Sequence, residues 1–514
     1  MPRPRVLLPC LAGSIALTLT GCSKKPDRAG EPIASAASEA WDMPATPEPA
    51  AAGEAAKERG GENTESYSHW EASRWTSPAE DRLSTFAVDV DTGSYTIVRK
   101  KILAGEPVPP DAVRVEEFLN YFRYADAPPD GNAPFAIHAE LAPSPWRRGS
   151  HLLRVALKGR EVGAARKTAH LVFLVDVSGS MADSDKLPLV KQSLRLLVDA
   201  LAPDDTVALV TYAGSTRVVL EPTRLSRRSE ILEAISALDA GGSTAMASGI
   251  DLAYQQALAT LSPDSVSRVI VLTDGDTNVG PTSFEELLSI IAGRAREGVT
   301  LSAIGVGMGN YKDSLLEQLA DKGDGNYFYV DRLAEARRVF QEQLGGTVEV
   351  IARDAKVQVD FDPARVERYR LVGYDNRAVA DGAFRDDEVD GGEIGSGHAV
   401  TALYELVLRG ERASGEVAVV RVRAKPPRGG EASEWTQAVA AGAARSSFAG
   451  ASADFRFAAA VMAAAEILRH SPDAEGWDLG QVRAVARAAA GDSPERAELV
   501  SLLAKLGGDA ITAR

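Results

Sequence analysis

One stretch of the sequence brings a carboxylate and two hydroxyls close together. Asp176, Ser178 and Ser180 stand at alternate positions directly after an apolar run. The small Gly179 between the two serines permits a tight turn, so that all three side chains can point at one centre. Oxygen ligands of this kind, with no His or Cys among them, select hard cations.

Two further oxygen-bearing residues are placed to join this group. Asp274 directly follows Thr273, the end of another apolar run, and Thr244 comes shortly after Gly241 and Gly242. Parallel strands deliver their carboxyl ends to one edge of a sheet, so we expect Asp274 beside the first turn. The two glycines allow close approach of the backbone that carries Thr244. A compact, near-octahedral site of these ligands suits Mg²⁺ or Mn²⁺ better than the larger Ca²⁺.

The five predicted ligands do not saturate a divalent ion. Three neutral hydroxyls and two carboxylates, some acting through water, leave one coordination position open. The alternative, in which these side chains only cap helices and fill turns, is disfavoured because the three parts of the pattern occur in order beside predicted strands or helices. Metal-dependent hydrolysis is a weaker hypothesis, because no general base accompanies the ligands. The sequence also lacks His-Glu-x-x-His, Gly-x-Ser-x-Gly and a Gly-Lys-Ser/Thr phosphate loop, so we expect no enzyme.

The elements that position these residues form a central α/β unit. Apolar runs typical of strands buried on both faces lie at 171–175, 207–212, 269–273, 301–306 and 327–330. Amphipathic patterns predict helices at about 187–201, 227–238, 247–261, 284–297 and 313–322. This alternation predicts an α/β fold, a Rossmann-like, doubly wound parallel sheet with helices on both faces.

The flanks of the α/β unit have a different pattern. Residues 135–158 before it and 355–422 after it contain alternating apolar and polar stretches, which are typical of antiparallel strands with one wet face. We infer that these strands pair into one β-rich domain in which the α/β unit is inserted or by which it is flanked. The Ala-rich stretch 455–506 predicts a C-terminal helical region with breaks near Pro472 and Gly491.

A lead-in region precedes the β-rich flank. Its pattern predicts a strand near 86–90 and a helix near 113–122. Asp89, Asp91 and Ser94 resemble part of a metal loop, but no third carboxylate follows at calcium-binding spacing, which favours a strand end and a turn.

The N-terminus has the order of an export signal. Arg3 and Arg5 precede the apolar stretch 6–19, which is shorter than the roughly 20 residues that a spanning helix needs. The following Leu-Thr-Gly-Cys, ending at Cys22, resembles the lipobox of bacterial lipoproteins, which implies lipidation of Cys22; a retained anchor is the second interpretation. The non-Asp residue Ser23 resembles an outer-membrane address, which implies an envelope protein whose folded part lies in the periplasm or at the surface.

Composition limits the classes of protein and partner. Of 514 residues, 45% are hydrophobic and 25% charged, which excludes disorder throughout and a polytopic membrane protein. The net charge of −15 argues against nucleic acid as a partner, and the two cysteines exclude a disulfide scaffold. We predict a signal peptide at 1–21, a disordered tether at 22–65, the lead-in at 66–133, a β-rich flank at 134–168, the α/β domain at 169–345, a β-rich flanking domain at 346–445 and a helical region at 446–514.

The pattern of Asp176, Ser178, Ser180, Thr244 and Asp274 resembles the metal-ion-dependent adhesion site of von Willebrand factor type A (VWA) domains. In that family the open coordination position takes a carboxylate from a partner protein. The resemblance therefore implies that the α/β unit is a VWA domain and that its metal bridges two proteins.

Further motifs resemble the bacterial YfbK-like VWA lipoproteins. They are VRVEE at 113–117, SPW at 144–146, GEIGSGH at 392–398 and TALYE at 401–405. Our principal hypothesis is a lipid-anchored envelope protein that binds a protein partner, or an extracellular polymer, through Mg²⁺. The alternative is a structural or assembly protein whose metal fixes internal domain packing.

Two other groups of residues could bind ligands. The acidic loop 386–393 could bind Ca²⁺ or offer a carboxylate to another copy, but a solvated turn between strands is favoured. His398 is interpreted as a hydrogen-bonded structural residue and not as a ligand.

Overall fold

The computed structural model describes residues 65–88, 91–162, 167–242, 246–276, 283–308, 311–343, 350–389, 391–410, 415–427 and 429–509. These residues all belong to one compact unit, Gly60–Arg514. The predicted signal peptide, Cys22, all of the tether except residue 65, and Thr244 lie outside the described residues. No helix in the described part of the chain combines the length and the apolar character that a membrane span needs.

Strands and helices precede the α/β unit, in partial agreement with the predicted pattern. They are β1 (Leu83–Ala87), α1 (Gly93–Ala104), α2 (Val115–Tyr121), β2 (Phe135–Pro143) and β3 (Ser150–Gly159). β2 and β3 form an antiparallel hairpin. α1 was not predicted from the sequence. It begins at Gly93, where a turn was expected.

The α/β unit contains six strands and six helices within the described residues. They are β4 (Thr168–Asp176), α3 (Leu187–Ala200), β5 (Thr206–Tyr212), β6 (Arg217–Arg224), α4 (Arg228–Ser236), α5 (Met246–Ala259), β7 (Ser265–Thr273), α6 (Phe284–Arg296), β8 (Val299–Val306), α7 (Asp313–Lys322), β9 (Tyr327–Val330) and α8 (Leu333–Arg337). The strands form one sheet in the order β6-β5-β4-β7-β8-β9. All neighbouring strands are parallel except β5 and β6, which are antiparallel. The sequence predicted a parallel sheet, so the prediction is wrong at this edge.

Helices cover both faces of this sheet. On β4, Phe173 and Val175 belong to the core that includes α3, α4 and α8. Val172 and Leu174 belong to the opposite core, with α5, α6 and α7. Successive residues of a strand point to opposite faces, so a continuous apolar run is what a strand covered on both sides requires. The predicted doubly wound arrangement is therefore confirmed.

Strands from both sides of the α/β unit build a β-sandwich. The later elements are β10 (Val350–Phe361), β11 (Val366–Val372), β12 (Ile394–Gly395), β13 (Ala399–Leu408), β14 (Glu416–Lys425), β15 (Ser433–Ala440), α9 (Ala453–Leu468), α10 (Leu479–Ala489) and α11 (Pro494–Asp509). One antiparallel sheet has the order β1-β10-β14-β15, with β12 beside β10, and the other has the order β11-β13-β3-β2. Val155 of β3 pairs with Ala402 of β13, so the α/β unit is inserted into the β-rich domain.

The C-terminal helices cover the outer face of the second sheet. Leu152 of β3 and Leu403 of β13 share a core with α2 and with the three helices α9, α10 and α11. The small side chains of α9 allow close packing, and residues 458–460 and 463–465, all alanine, are fully buried. Ser452 begins α9, because its hydroxyl accepts a hydrogen bond from the Phe455 N–H at 3.1 Å.

Candidate metal centre

Asp176 lies at the carboxyl end of β4 and is completely buried. Its Oδ1 accepts a hydrogen bond from the Ser178 N–H at 2.8 Å, and its Oδ2 accepts one from the Thr273 hydroxyl at 2.9 Å. Burial raises the pKa of the Asp176 carboxyl, hydrogen bonds from Ser178 and Thr273 oppose this rise, and the carboxylate of Asp274 adds to it. The two predicted carboxylates therefore lie close enough to repel each other.

The two serines of the turn converge as predicted. The hydroxyls of Ser178 and Ser180 are 3.0 Å apart. Ser178 is buried, whereas Ser180 is half-buried and Gly179 is exposed, so the rim of the site reaches the surface. The turn therefore presents two hydroxyl oxygens beside the Asp176 carboxylate.

The glycine loop is hydrogen-bonded to this turn. The Gly241 N–H donates to the Val177 carbonyl at 2.7 Å, and the Gly179 N–H donates to the Gly242 carbonyl at 3.1 Å. The segment that leads to Thr244 is thus anchored at the predicted edge. Thr244 itself lies outside the described residues, so its place among the ligands stays a prediction.

Asp274 follows the last residue of β7 and is held from two sides. Its Oδ1 accepts a hydrogen bond from the Asp276 N–H at 3.1 Å, and its Oδ2 accepts one from Lys186 Nζ at 2.9 Å. The side chains of Lys186 and Asp274 are 8% and 2% exposed, so this ion pair is buried. This ion pair was not predicted from the sequence, although Lys186 stands in the segment between the serine turn and α3.

The described residues fit a hard divalent cation by the chemistry of their donors. Asp176, Ser178, Ser180 and Asp274 present only carboxylate and hydroxyl oxygens at one edge of the sheet. Within the described part of the chain, no group of three or more His, Cys, Asp or Glu side chains could hold a metal ion. A site here would consequently depend on hydroxyl ligands as well as on its two carboxylates.

Asp91 and Ser94, which resemble part of a metal loop in the sequence, have structural roles. The Asp91 carboxylate accepts hydrogen bonds from the Tyr327 N–H at 2.8 Å and from Arg377 at 2.9 Å. The Ser94 hydroxyl donates to the Ala112 carbonyl at 2.6 Å. The Asp91 contacts tie the segment before α1 to β9 and to the loop after β11, and the Ser94 contact ties α1 to the turn at Ala112, as a structural interpretation requires. Asp89, the third residue of this group, lies outside the described residues.

The acidic loop is paired with basic side chains of the sandwich. Arg423 forms an ion pair with Asp387 at 2.9 Å, and Lys425 Nζ donates to the Asp387 carbonyl at 2.9 Å. Lys356 Nζ donates to the Asp386 carbonyl at 2.5 Å. These contacts support the interpretation of the loop as a structural turn.

His398 gives the first testable prediction, a dependence of stability on pH. Its Nδ1 is buried and has no hydrogen-bond partner among the described residues, so the structure does not show the hydrogen bond expected for this nitrogen from the sequence. Burial, aided by Lys158, lowers the pKa of His398 from 6.5 to about 4. The unfolded chain takes up this proton below about pH 6.5 and the folded chain only below about pH 4, so stability decreases as the pH falls between these values. Between pH 7 and 4, the free energy of unfolding of the native protein is expected to decrease by about 3 kcal/mol more than that of the His398→Gln variant.

Urea denaturation at several pH values, followed by circular dichroism, measures this difference. Equal pH dependence of the two proteins would show that His398 titrates normally in the folded chain.

Sequence comparisons identify the family. Residues 170–342 match the model of the von Willebrand factor type A domain, and residues 61–154 match a model described as von Willebrand factor. Residues 346–414 and 407–507 match the C-terminal model of YfbK. Escherichia coli YfbK is 38% identical over 455 residues, which cover 83% of this chain and 78% of that protein. The chain belongs to the YfbK family of VWA proteins.

Two further similar proteins share less of the sequence. The Synechocystis protein sll0103 is 29% identical over 212 residues, which cover 41% of this chain and 49% of that relative. The solved von Willebrand factor type A protein from Catenulispora acidiphila has 18% identity and a TM-score of 0.44, and the match covers 74% of this chain and 91% of that one. A VWA domain in a YfbK-family chain suggests a role in protein interaction or adhesion.

Proposed function

We propose that this protein binds a partner protein through a Mg²⁺-dependent adhesion site in its VWA domain, while a lipid at Cys22 holds it in the cell envelope. The ligands would be Asp176, Ser178, Ser180, Thr244 and Asp274, and the partner would offer an acidic side chain. A bound Mg²⁺, or Mn²⁺ in its place, would supply a positive centre with one coordination position open to that carboxylate.

The observation that carries the proposal is the convergence of the four described ligands, Asp176, Ser178, Ser180 and Asp274. β4 and β7 are neighbours in the sheet and end at the same edge, where the Asp176 and Asp274 carboxylates influence each other. The two serine hydroxyls stand next to Asp176, on a turn that the sequence places directly after β4. Residues far apart in the chain thus form one oxygen-lined group.

Exposure at the rim favours an open site over a sealed structural one. Gly179, Gly241, Gly242 and Asp276 are exposed, although the carboxylates of Asp176 and Asp274 lie beneath the surface. A metal that served only internal packing would be covered by its own chain. The alternative, a structural or assembly protein, draws its support from the insertion of the VWA domain into the β-sandwich.

Capture of partners from solubilised envelope tests the proposal. The full chain is expected to retain a partner with Mg²⁺ present and to lose it with a chelator, since the bridge needs the ion. Asp176→Ala is expected to abolish capture at any Mg²⁺ concentration in the millimolar range. Asp251→Ala, the same substitution at an exposed position of α5, is the matched control and should behave like the native chain.

The outcome also separates the two functions. Capture that survives both chelation and Asp176→Ala contradicts the adhesion proposal. A large increase of the unfolding midpoint with Mg²⁺, without any Mg²⁺-dependent capture, would support the structural alternative, because a tightly held ion stabilises the fold by RT ln(1 + [Mg²⁺]/Kd).

A further inference from the structure

Lys186 is a cation built into the candidate metal centre. Its Nζ donates to Asp274 Oδ2 at 2.9 Å, and both side chains are almost fully buried. Its N–H donates to the Asp183 carbonyl at 3.0 Å, and its own carbonyl accepts from the Val190 N–H at 2.9 Å. The backbone that carries the ammonium is therefore fixed at the start of α3.

Gly307 leaves room for the stem of this lysine. Gly307 has a φ of 72°, and a Cβ at this position would lie 2.5 Å from Lys186 Cε. The Gly307 carbonyl accepts a hydrogen bond from the Tyr329 hydroxyl at 2.5 Å, which holds the loop in place. A larger residue would displace the lysine, so the fold keeps the ammonium directed toward Asp274.

The charges of the site determine what it attracts. Asp176 and Asp274 bring two negative charges when ionised, and Lys186 cancels one of them. A divalent ion at the ligands would then leave the centre with a net positive charge, whereas without the lysine the centre would be neutral. Because these groups are buried, the interaction between them is weakly screened by solvent and salt.

We propose that Lys186 determines the specificity of this site: it weakens binding of the divalent cation and keeps the occupied site positive, so that it attracts a carboxylate. The inference rests on the proposed function, because it concerns the same ion and the same partner group. It predicts that affinity for the metal and affinity for a carboxylate change in opposite directions when the charge of Lys186 is removed. If Lys186 only stabilised the fold, its replacement would not change the two affinities in opposite directions.

The test measures both affinities on the full chain. Calorimetric titration with Mg²⁺ alone is expected to show at least about tenfold tighter binding to Lys186→Met than to the native protein. For the second affinity, Mn²⁺ replaces Mg²⁺ and acetate is the carboxylate probe, with displacement of metal-bound water read from water-proton relaxation. Acetate is expected to bind Lys186→Met at least about threefold more weakly.

Three controls separate charge from packing. Lys186→Arg keeps the charge and is expected to bind Mg²⁺ like the native protein. Lys425→Met removes a cation from another ion pair, 2.8 Å from Asp354 in the β-sandwich, and should leave Mg²⁺ affinity unchanged. Lys186→Gln, a second neutral variant with a polar end, is measured beside Lys186→Met, and it alone decides if circular dichroism shows that the methionine variant is not folded.

The measured Mg²⁺ affinities separate the inference about Lys186 from the proposed function. Unchanged or weaker Mg²⁺ binding by both neutral variants, beside a native protein that binds Mg²⁺, overturns the inference and leaves the proposed function standing. Mg²⁺ binding that appears only after the charge is removed supports the inference and overturns the proposed function. If neither the native protein nor the variants bind Mg²⁺, both proposals are wrong.

Discussion

Replacement of Arg370 by methionine is expected to lower the free energy of unfolding by about 3 to 5 kcal/mol. Arg370, on β11, is fully buried, as are Glu405 on β13 and Glu466 on α9. The guanidinium donates to Glu405 Oε2 at 2.7 Å and to Glu466 Oε2 at 2.9 Å. Without the arginine, two carboxylates remain buried next to each other, and the cost of leaving a buried charge uncompensated is large.

The expected loss of stability comes from removing one partner of the cluster. It does not measure how much the whole cluster contributes to the free energy of unfolding. The triple variant Arg370→Met, Glu405→Gln and Glu466→Gln removes every charge of the trio, so it is expected to recover at least half of the lost stability. Arg224→Met is the matched control, because Arg224 pairs with Asp204 at 3.5 Å on the surface, and its effect should stay within about 1 kcal/mol. Urea denaturation followed by circular dichroism gives all three values.

Two results would contradict the argument. A loss of less than about 1 kcal/mol in Arg370→Met would show that the carboxylates find other partners, such as Arg469 beside Glu466. A triple variant less stable than the single one would show that the ion cluster itself stabilises the junction between the sheet and α9.

The pattern of apolar residues was sufficient to predict most of the α/β unit. Strands such as β4 are covered on both faces, so each gives an uninterrupted apolar run that is visible without tertiary information. β6 was not predicted because, unlike β9 at the other edge of the sheet, it is an edge strand that is only partly buried. It contains Pro222 and charged residues, and only Leu220 and Thr223 of its eight residues are buried.

The candidate site could be predicted where its residues follow local rules. Asp176, Ser178 and Ser180 occupy one turn, and Asp274 ends a strand that must lie at the same sheet edge. Lys186 could not be predicted in the same way, because a search for metal ligands looks for oxygen donors and not for a cation. Its sequence position indicates a segment near the site, but only the packing at Gly307 shows that its ammonium reaches Asp274.

The long-range pairs of the buried ion clusters carry no local signal. Arg99 donates to Glu498, 399 residues away, and Arg370 donates to Glu466, 96 residues away. In the sequence each of these residues resembles an ordinary charged residue on the polar side of a helix or strand. Their burial follows from packing between segments that are distant in the sequence, such as β11 against α9.

Arg114 forms the cluster for which we expect the second large effect. It lies at the start of α2, and its guanidinium donates to Glu317 at 2.5 Å and to Asp313 at 2.6 Å, both on α7, while its Nε lies next to Glu117. Burial raises the pKa of Glu117 from 4.5 to about 8; Arg114 opposes this rise, and the carboxylates of Glu317 and Asp313 add to it. One arginine thus holds three buried carboxylates together.

Arg114→Met is expected to lower the free energy of unfolding by about 3 to 5 kcal/mol at pH 8 and by clearly less at pH 5. A carboxyl with a higher pKa in the folded chain than in the unfolded chain stabilises the fold when it is protonated. This stabilisation is complete at pH values below the pKa in the unfolded chain, and it is lost as the pH rises through the pKa in the folded chain. Without Arg114, the pKa values of the Glu117 and Asp313 carboxyls rise further, so acidification allows these two groups to take up protons and relieves the repulsion in the cluster. Urea denaturation at pH 5, 6.5 and 8 measures this recovery.

Arg294→Met is the control for this experiment, because Arg294 pairs with Glu297 near the surface at 2.9 Å. Its effect should be small at every pH. Equal destabilisation by Arg114→Met at pH 5 and pH 8 would show that the loss arises from packing and not from the unpaired carboxylates.

The cluster lies close to the loop that carries Asp274, which gives a second, local measurement. Asp313 begins α7 directly after Lys312, and the backbone nitrogen of Lys312 would lie 2.8 Å from a Cβ placed on Gly275. Hydrogen exchange in α7 is therefore expected to accelerate in Arg114→Met, and if this loosening reaches the loop of Asp274, affinity for Mg²⁺ will fall with it.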